Sequence, residues 1–170
     1  MGLLDDIDDE EISANSRLLR TVVPGYDYRS QKSFEATDER LRTKVRRDLI
    51  EAKQLLDGVH DGLYDAGRRD EMEQVASVRE SIETVQRHVE TAQSGGGGAR
   101  HLVVEDESHI PDLIEHDATL VERSEALVER LEGLSIDSSN LTSELTACEQ
   151  DARELRGAIR SRRDYLDGLR

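Results

Sequence analysis

The sequence predicts an all-α fold, drawn as a long antiparallel helical hairpin or coiled coil. Three observations predict it. Apolar residues recur in steps of three and four through two arms of nearly equal length, Glu35–Gln93 and Asp112–Arg170. Neither arm contains proline; Pro24 precedes the first and Pro111 stands at the mouth of the second. Four consecutive glycines, Gly95–Gly98, supply a flexible turn between them. A turn near residue 102 sets Gly67 opposite Asp137, so the weak middles of the arms face each other. A straight hairpin is then about 88 Å long at 1.5 Å per residue. The alternative folds the arms at Gly67 and Gly133 into a four-helix bundle, with segments near 35–66, 70–93, 112–134 and 138–169.

Composition supports a thin helical seam. Only 35% of the 170 residues are hydrophobic and 3% aromatic, with no Trp and one Phe, too few large apolar groups for a thick layered core. Acidic residues outnumber basic ones 38 to 23, giving a net charge of −15, which opposes binding to nucleic acid or anionic lipid. Lysine occurs only at Lys32, Lys44 and Lys53; the other basic residues are arginine. Such an acid-rich, lysine-poor surface resembles the proteins of salt-in halophiles such as haloarchaea, whose carboxylate repulsion molar salt screens. The lone Cys148 excludes an internal disulfide and falls on the apolar seam. No segment reads as a membrane span or signal peptide, so a cytoplasmic location is expected.

The elements follow in order. Residues 1–33 form an acidic N-terminal segment with a short helix from about Asp9 to Val22. Asp8 and Glu11 have capping-box spacing, and Pro24-Gly25 ends the helix. Tyr26–Lys32 read as a polar linker. The first arm, 34–93, follows Ser33 as N-cap and carries Leu41, Val45, Leu49, Ala52, Leu56, Val59 and Leu63 on one stripe, then Val75, Val78, Ile82, Val85 and Val89. Its soft middle, 57–70, holds Gly58, Gly62 and Gly67, each costing a helix about 1 kcal/mol against Ala, and Asp70 with Glu73 offers a second capping box. Residues 94–111 form a Gly-rich acidic loop. The second arm, 112–170, keeps the strictest heptad, from Leu113 through Leu127, Leu141 and Leu155 to Leu169. Asp117, Ser124, Ser138 and Arg162 interrupt its seam, and polar seam residues of this kind fix register or partner.

Candidate sites are few. Arg42, Lys44, Arg46 and Arg47 form the densest basic cluster, and Arg160, Arg162 and Arg163 a second; both are interaction candidates, or else neutralise nearby acids such as Asp5–Glu11. Asp57, His60, Asp61, Tyr64 and Asp65 occupy adjacent helical turns at a spacing that helical metal sites use, without a partner motif in the second arm. His101, His109 and His116 flank an acidic loop but match no structural zinc pattern. The serines lack a strained-turn motif and the four glycines lack a phosphate-cradle spacing.

The expectation is therefore a non-enzymatic structural or adaptor protein mediating oligomerisation or partner binding in a high-salt cytoplasm. It has no cofactor, metal or catalytic residue, an unidentified protein partner, a homo-oligomeric state, no nucleic acid and no stable membrane insertion. The alternative is a regulatory helical module of signalling or membrane-remodelling machinery. In shape, the paired arms resemble the helical core of the ESCRT-III and PspA class, which implies a membrane-remodelling role; the basic membrane-facing helix of that class has no counterpart in this acidic N-terminus. A metal-binding helical bundle is a weaker alternative.

Overall fold

The computed structural model describes residues 14–28, 31–91 and 107–169. Five α-helices occur among them: α1 (residues 14–22), α2 (Gln31–Asp65), α3 (Arg69–Thr91), α4 (Ile110–Glu132) and α5 (Leu141–Gly168). A single 3₁₀ turn, Glu107–His109, leads into α4, with Pro111 in its first turn, where a missing N–H costs nothing. The proposed N-terminal capping box, the Asp5–Glu11 run and the four-glycine loop lie outside the described residues.

Each helix end has a local cause. α2 stops at a Schellman motif: the Gly67 N–H donates to the Tyr64 carbonyl at 3.0 Å and the Arg68 N–H to the Leu63 carbonyl at 3.0 Å. Gly67 takes the left-handed conformation this requires, with φ of 70°. Gly58 and Gly62 lie inside α2 and do not break it. Ser33 also lies inside α2 rather than capping it. α3 begins when the Arg68 carbonyl accepts from the Met72 N–H at 3.2 Å, and Asp70 and Glu71 in its first turn suit the positive end of the helix dipole. Asp70 is thus within α3 and does not cap it. Asn140 precedes α5 and its carbonyl accepts the first intrahelical bond, from the Glu144 N–H at 2.9 Å.

The helices divide between two compact units. One consists of Val45–Thr91 and Glu122–Gly157; the other holds the described parts of Met1–Lys44, Ala92–Val121 and Ala158–Arg170. In the Val45–Thr91 and Glu122–Gly157 unit, four helical segments close into a ring. Arg79 of α3 pairs with Asp57 of α2; Ser124 of α4 donates to Asp48 of α2 at 2.6 Å; Arg130 of α4 pairs with Asp151 of α5 at 2.5 Å. α3 and α5 complete the ring along a shared groove. Its core is made by Leu49, Leu56 and Leu63 of α2, Val78, Ile82 and Val85 of α3, Leu127 and Leu131 of α4, and Leu145, Cys148, Ala152 and Leu155 of α5.

This arrangement overturns the straight antiparallel hairpin and the two-stranded coiled coil. A turn near residue 102 would set Asp48 opposite Arg156. Instead Asp48 meets Ser124, and Ile136, just past the end of α4, lies 3.2 Å from where a Cβ on Gly62 would stand. α2 and α4 therefore run parallel, each paired with the helix that follows it. The physical reason is the width of the buried face. α4 buries Leu113, Ile114, Asp117, Ala118, Leu120 and Val121, and α2 buries Thr37 with Asp38 and Asp48 with Leu49. A coiled-coil seam buries only two positions in seven, whereas a bundle helix buries three or four per two turns.

The other unit packs Leu19 and Val23, Tyr26 and Tyr28, Phe34 and Leu41 of α2, Leu113 and Val121 of α4, and Leu166 of α5. The reading of Tyr26–Lys32 as a polar linker is corrected here: Tyr26 and Tyr28 are buried and Lys32 belongs to α2. Their rings stack edge-on at 5.2 Å, and Tyr28 lies 5.1 Å from Phe34.

Candidate functional site

The most elaborate chemistry among the described residues is a closed polar cluster in the unit that holds α1. Arg162 of α5 sits at its centre, with a side chain only 6% exposed. Its Nε donates to Asp117 Oδ1 at 2.6 Å, its Nη1 to Asp38 Oδ1 at 2.8 Å and its Nη2 to the Tyr28 hydroxyl at 3.3 Å. The second oxygen of Asp117 accepts from both phenols, from Tyr26 at 2.8 Å and from Tyr28. The second oxygen of Asp38 accepts from Arg42 Nε at 3.0 Å, and Arg42 also reaches Glu39. Two buried carboxylates are thus balanced by one buried and one half-buried guanidinium. The planar fork of Arg suits this role because it meets two carboxylates and a phenol at once.

The electrostatics follow from burial. Desolvation, then the Asp117 charge, holds the Tyr28 phenol well above its usual range; the same two causes, followed by Tyr28 itself, raise Tyr26. Burial opposes the Arg162 charge, but Asp117, Tyr28 and Asp38 more than reverse that effect and raise the guanidinium well above its ordinary value. Both phenols are therefore donors and Arg162 is a permanent cation.

Residues 25–28, which follow α1, are tied down beside this cluster. The Asp27 N–H donates to Thr37 Oγ1 at 3.0 Å, and the same hydroxyl donates to the Asp27 carbonyl at 2.7 Å. Arg40 Nη1 donates to the Gly25 carbonyl at 3.2 Å. Gly25, with φ of 73°, makes the turn that aims Tyr26 and Tyr28 inward, and a Cβ there would collide with Arg40.

The residues singled out from sequence are placed as follows. Asp117 and Arg162 meet in the cluster, joined by Arg42. Ser124 is buried and bonds Asp48 in the other unit, whereas Ser138 lies between α4 and α5, where its Oγ accepts from the Asn140 N–H at 3.1 Å. Lys44 and Arg46 are half-buried and Arg47, Arg160 and Arg163 exposed, with Arg163 3.7 Å from Asp164. Of the acidic stretch on α2, Asp57 pairs with Arg79, His60 lies 3.8 Å from Asp61, and Tyr64 is 70% exposed. His116 stacks on Tyr165 at 5.1 Å, and the Tyr165 hydroxyl donates to the His109 carbonyl at 3.1 Å; His101 falls outside the described residues. No group of three His, Cys, Asp or Glu side chains placed to hold a metal ion occurs among the described residues.

Sequence reasoning missed Tyr26, Tyr28, Thr37 and Asp48; the i,i+4 spacing of Asp38 and Arg42 marks their ion pair but not the burial of Asp38. The signals were present. Two of the chain's four tyrosines stand two apart directly after Pro24-Gly25, and positions 34, 37, 38, 41, 45, 48, 49 and 52 complete a broad helical face once polar residues are admitted to it.

Elsewhere, an open groove of about 310 Å³ between α3 and α5 is lined by Ser77, Ser81, Thr84, Glu80, Arg153 and Arg156, among others. Cys148 is buried, and burial pushes its thiol up to about 11. Among the described residues no helix is long and apolar enough to cross a membrane. Comparison with protein-family models, with curated proteins and with solved structures gives no match in any of the three.

Proposed function

We propose that the chain is a non-enzymatic, regulatory helical module that acts by binding protein. The observation that carries this reading is the closure of the buried polar cluster. Its carboxylates, phenols and guanidinium are spent on one another, where a catalytic constellation would leave a group aimed at a reacting atom. Two further features agree. Cys148, the one strong nucleophile by type, is buried with a raised pKa, and the groove between α3 and α5 is shallow and polar. A net charge of −15 favours a protein partner over an anionic membrane or nucleic acid.

The test uses the exposed face of α2, where Ile50 (41% exposed) and Tyr64 (70% exposed) stand out from the surface. Placing a photo-reactive residue at Tyr64 or Ile50 and illuminating intact cells should give discrete adducts, with none from the buried Leu49. Absence of adducts from these positions and from exposed sites on α3 and α5 would defeat the reading. Co-sedimentation with anionic vesicles would defeat the choice of protein over membrane.

A further inference from the structure

Residues 26–28 are held as an extended peptide ligand is held. Alternate side chains, Tyr26 and Tyr28, enter the cluster and donate hydrogen bonds to the same Asp117 oxygen. Between them the backbone of Asp27 is read in both directions by one hydroxyl, Thr37 Oγ1. The acceptor side is made wholly by α2, α4 and α5, through Thr37, Asp38, Asp117 and Arg162. Main-chain bonds at one residue with pockets for its two neighbours is the general logic of extended-peptide recognition. The segment is anchored by these polar bonds together with the buried rings of Tyr26 and Tyr28 and the Tyr28–Phe34 contact. In α1 itself only Leu19 is fully buried, and Val23 follows just beyond it.

From this we infer that the slot formed by Thr37, Asp38, Asp117 and Arg162 is a recognition site for a Tyr-x-Tyr peptide. Its own residues 14–28 fill it in cis, and the same segment of a second copy fills it in trans. The occupant is a second copy because the segment whose groups match Thr37, Asp117 and the free edge of Arg162 is this chain's own. Exchange of an identical element makes a dimer without any new contact type. The tethered segment enjoys a high effective concentration, so the closed monomer prevails until protein concentration or release of α1 favours exchange. The inference extends the binding-module reading by naming a partner, and rests on that reading only for its biological purpose.

The test is a labelled synthetic peptide of residues 14–28 added to full-length protein. The receptor is the Tyr26→Phe/Tyr28→Phe chain, which keeps the rings but cannot grip Asp117. Saturable binding is expected by fluorescence anisotropy, weakened about tenfold when each tyrosine of the peptide is replaced by Phe. Wild-type protein supplies a second measurement that does not depend on the variant folding: excess peptide should accelerate hydrogen exchange of the protein's own residues 14–28, and the Phe-substituted peptide should not. No binding to the folded variant, or no peptide-dependent exchange in the wild type, overturns the inference. If that happens while Tyr64 adducts persist, segment exchange is wrong and the binding-module reading stands.

Discussion

A buried Arg162 held between Asp38 and Asp117 costs desolvation and returns it through three hydrogen bonds, so its worth shows when one partner is removed. Arg162→Met leaves Asp117 buried with phenol donors alone, while Asp38 keeps Arg42. Removing one member of such a set costs about 3–5 kcal/mol, and urea unfolding followed by circular dichroism should read that loss; a loss below about 1 kcal/mol would mean the cluster is incidental to stability. The phenols set an alkaline limit. Their folded pKa values lie above the usual value of 10.0, so below pH 10 both folded and unfolded chains keep the protons and stability is unaffected. Above it the unfolded phenols ionise and the folded ones do not, and stability falls by about 1.4 kcal/mol per pH unit for each. The Tyr26→Phe/Tyr28→Phe chain should show a visibly flatter decline between pH 10 and 12; an unchanged slope would refute the assignment. At this scale the sequence was half legible. Asp117 and Arg162 announced themselves by interrupting an apolar heptad, whereas Asp38 and Asp48 sat where the apolar pattern of α2 had no gap to reveal them.

Helices break where the backbone requires it rather than wherever glycine occurs. Gly67 alone ends α2, because the Schellman turn needs a positive φ, and open space around its Cβ position leaves backbone conformation as the only cost of a side chain there. Gly67→Ala should therefore lower stability by about 1 kcal/mol. Gly58 and Gly157 are helical and equally open, so Ala at either should raise stability by about 0.5–1 kcal/mol. Gly62→Ala should gain less than Gly58→Ala, since Ile136 approaches its Cβ position to 3.2 Å. Thermal melts of the four variants check the order, and a stabilising Gly67→Ala would contradict the turn. Sequence located the weak middle of the first arm through its three glycines but could not tell a tolerated one from a required one. That difference is a dihedral angle, fixed by the neighbours Leu63, Tyr64 and Arg68.

For the molecule as a whole, helical class was legible and helix pairing was not. Steps of three and four reveal a helix, but the stripe along α4 looks the same whether it faces α3 or α2. Pairing is decided by the polar contact between Asp48 and Ser124 and by the second stripe of Ile114, Ala118 and Val121. The acidic excess has its own consequence. We expect the carboxylate repulsion of a chain at −15 to outweigh its exposed ion pairs, most of which carry little energy. Raising KCl from 0.1 to 2 M contracts the screening length from about 10 Å to below 3 Å, and the melting temperature should rise. A fall would show that the surface pairs dominate.

The cluster also joins residues far apart in the chain. Arg79 and Asp57 are 22 positions apart and Arg130 and Asp151 only 21, whereas Arg162 and Asp38 are separated by 124. Short loops close at the smallest entropic cost, so the α2–α3 and α4–α5 pairs are the natural first structures, and the Arg162 contacts come after the rate-limiting barrier. Arg162→Met should then leave the refolding rate nearly unchanged and speed unfolding, which stopped-flow chevrons would resolve; slowed refolding would put the contact in the nucleus instead. On this view one guanidinium governs how long the native state lasts once formed, and has little say in how fast it forms.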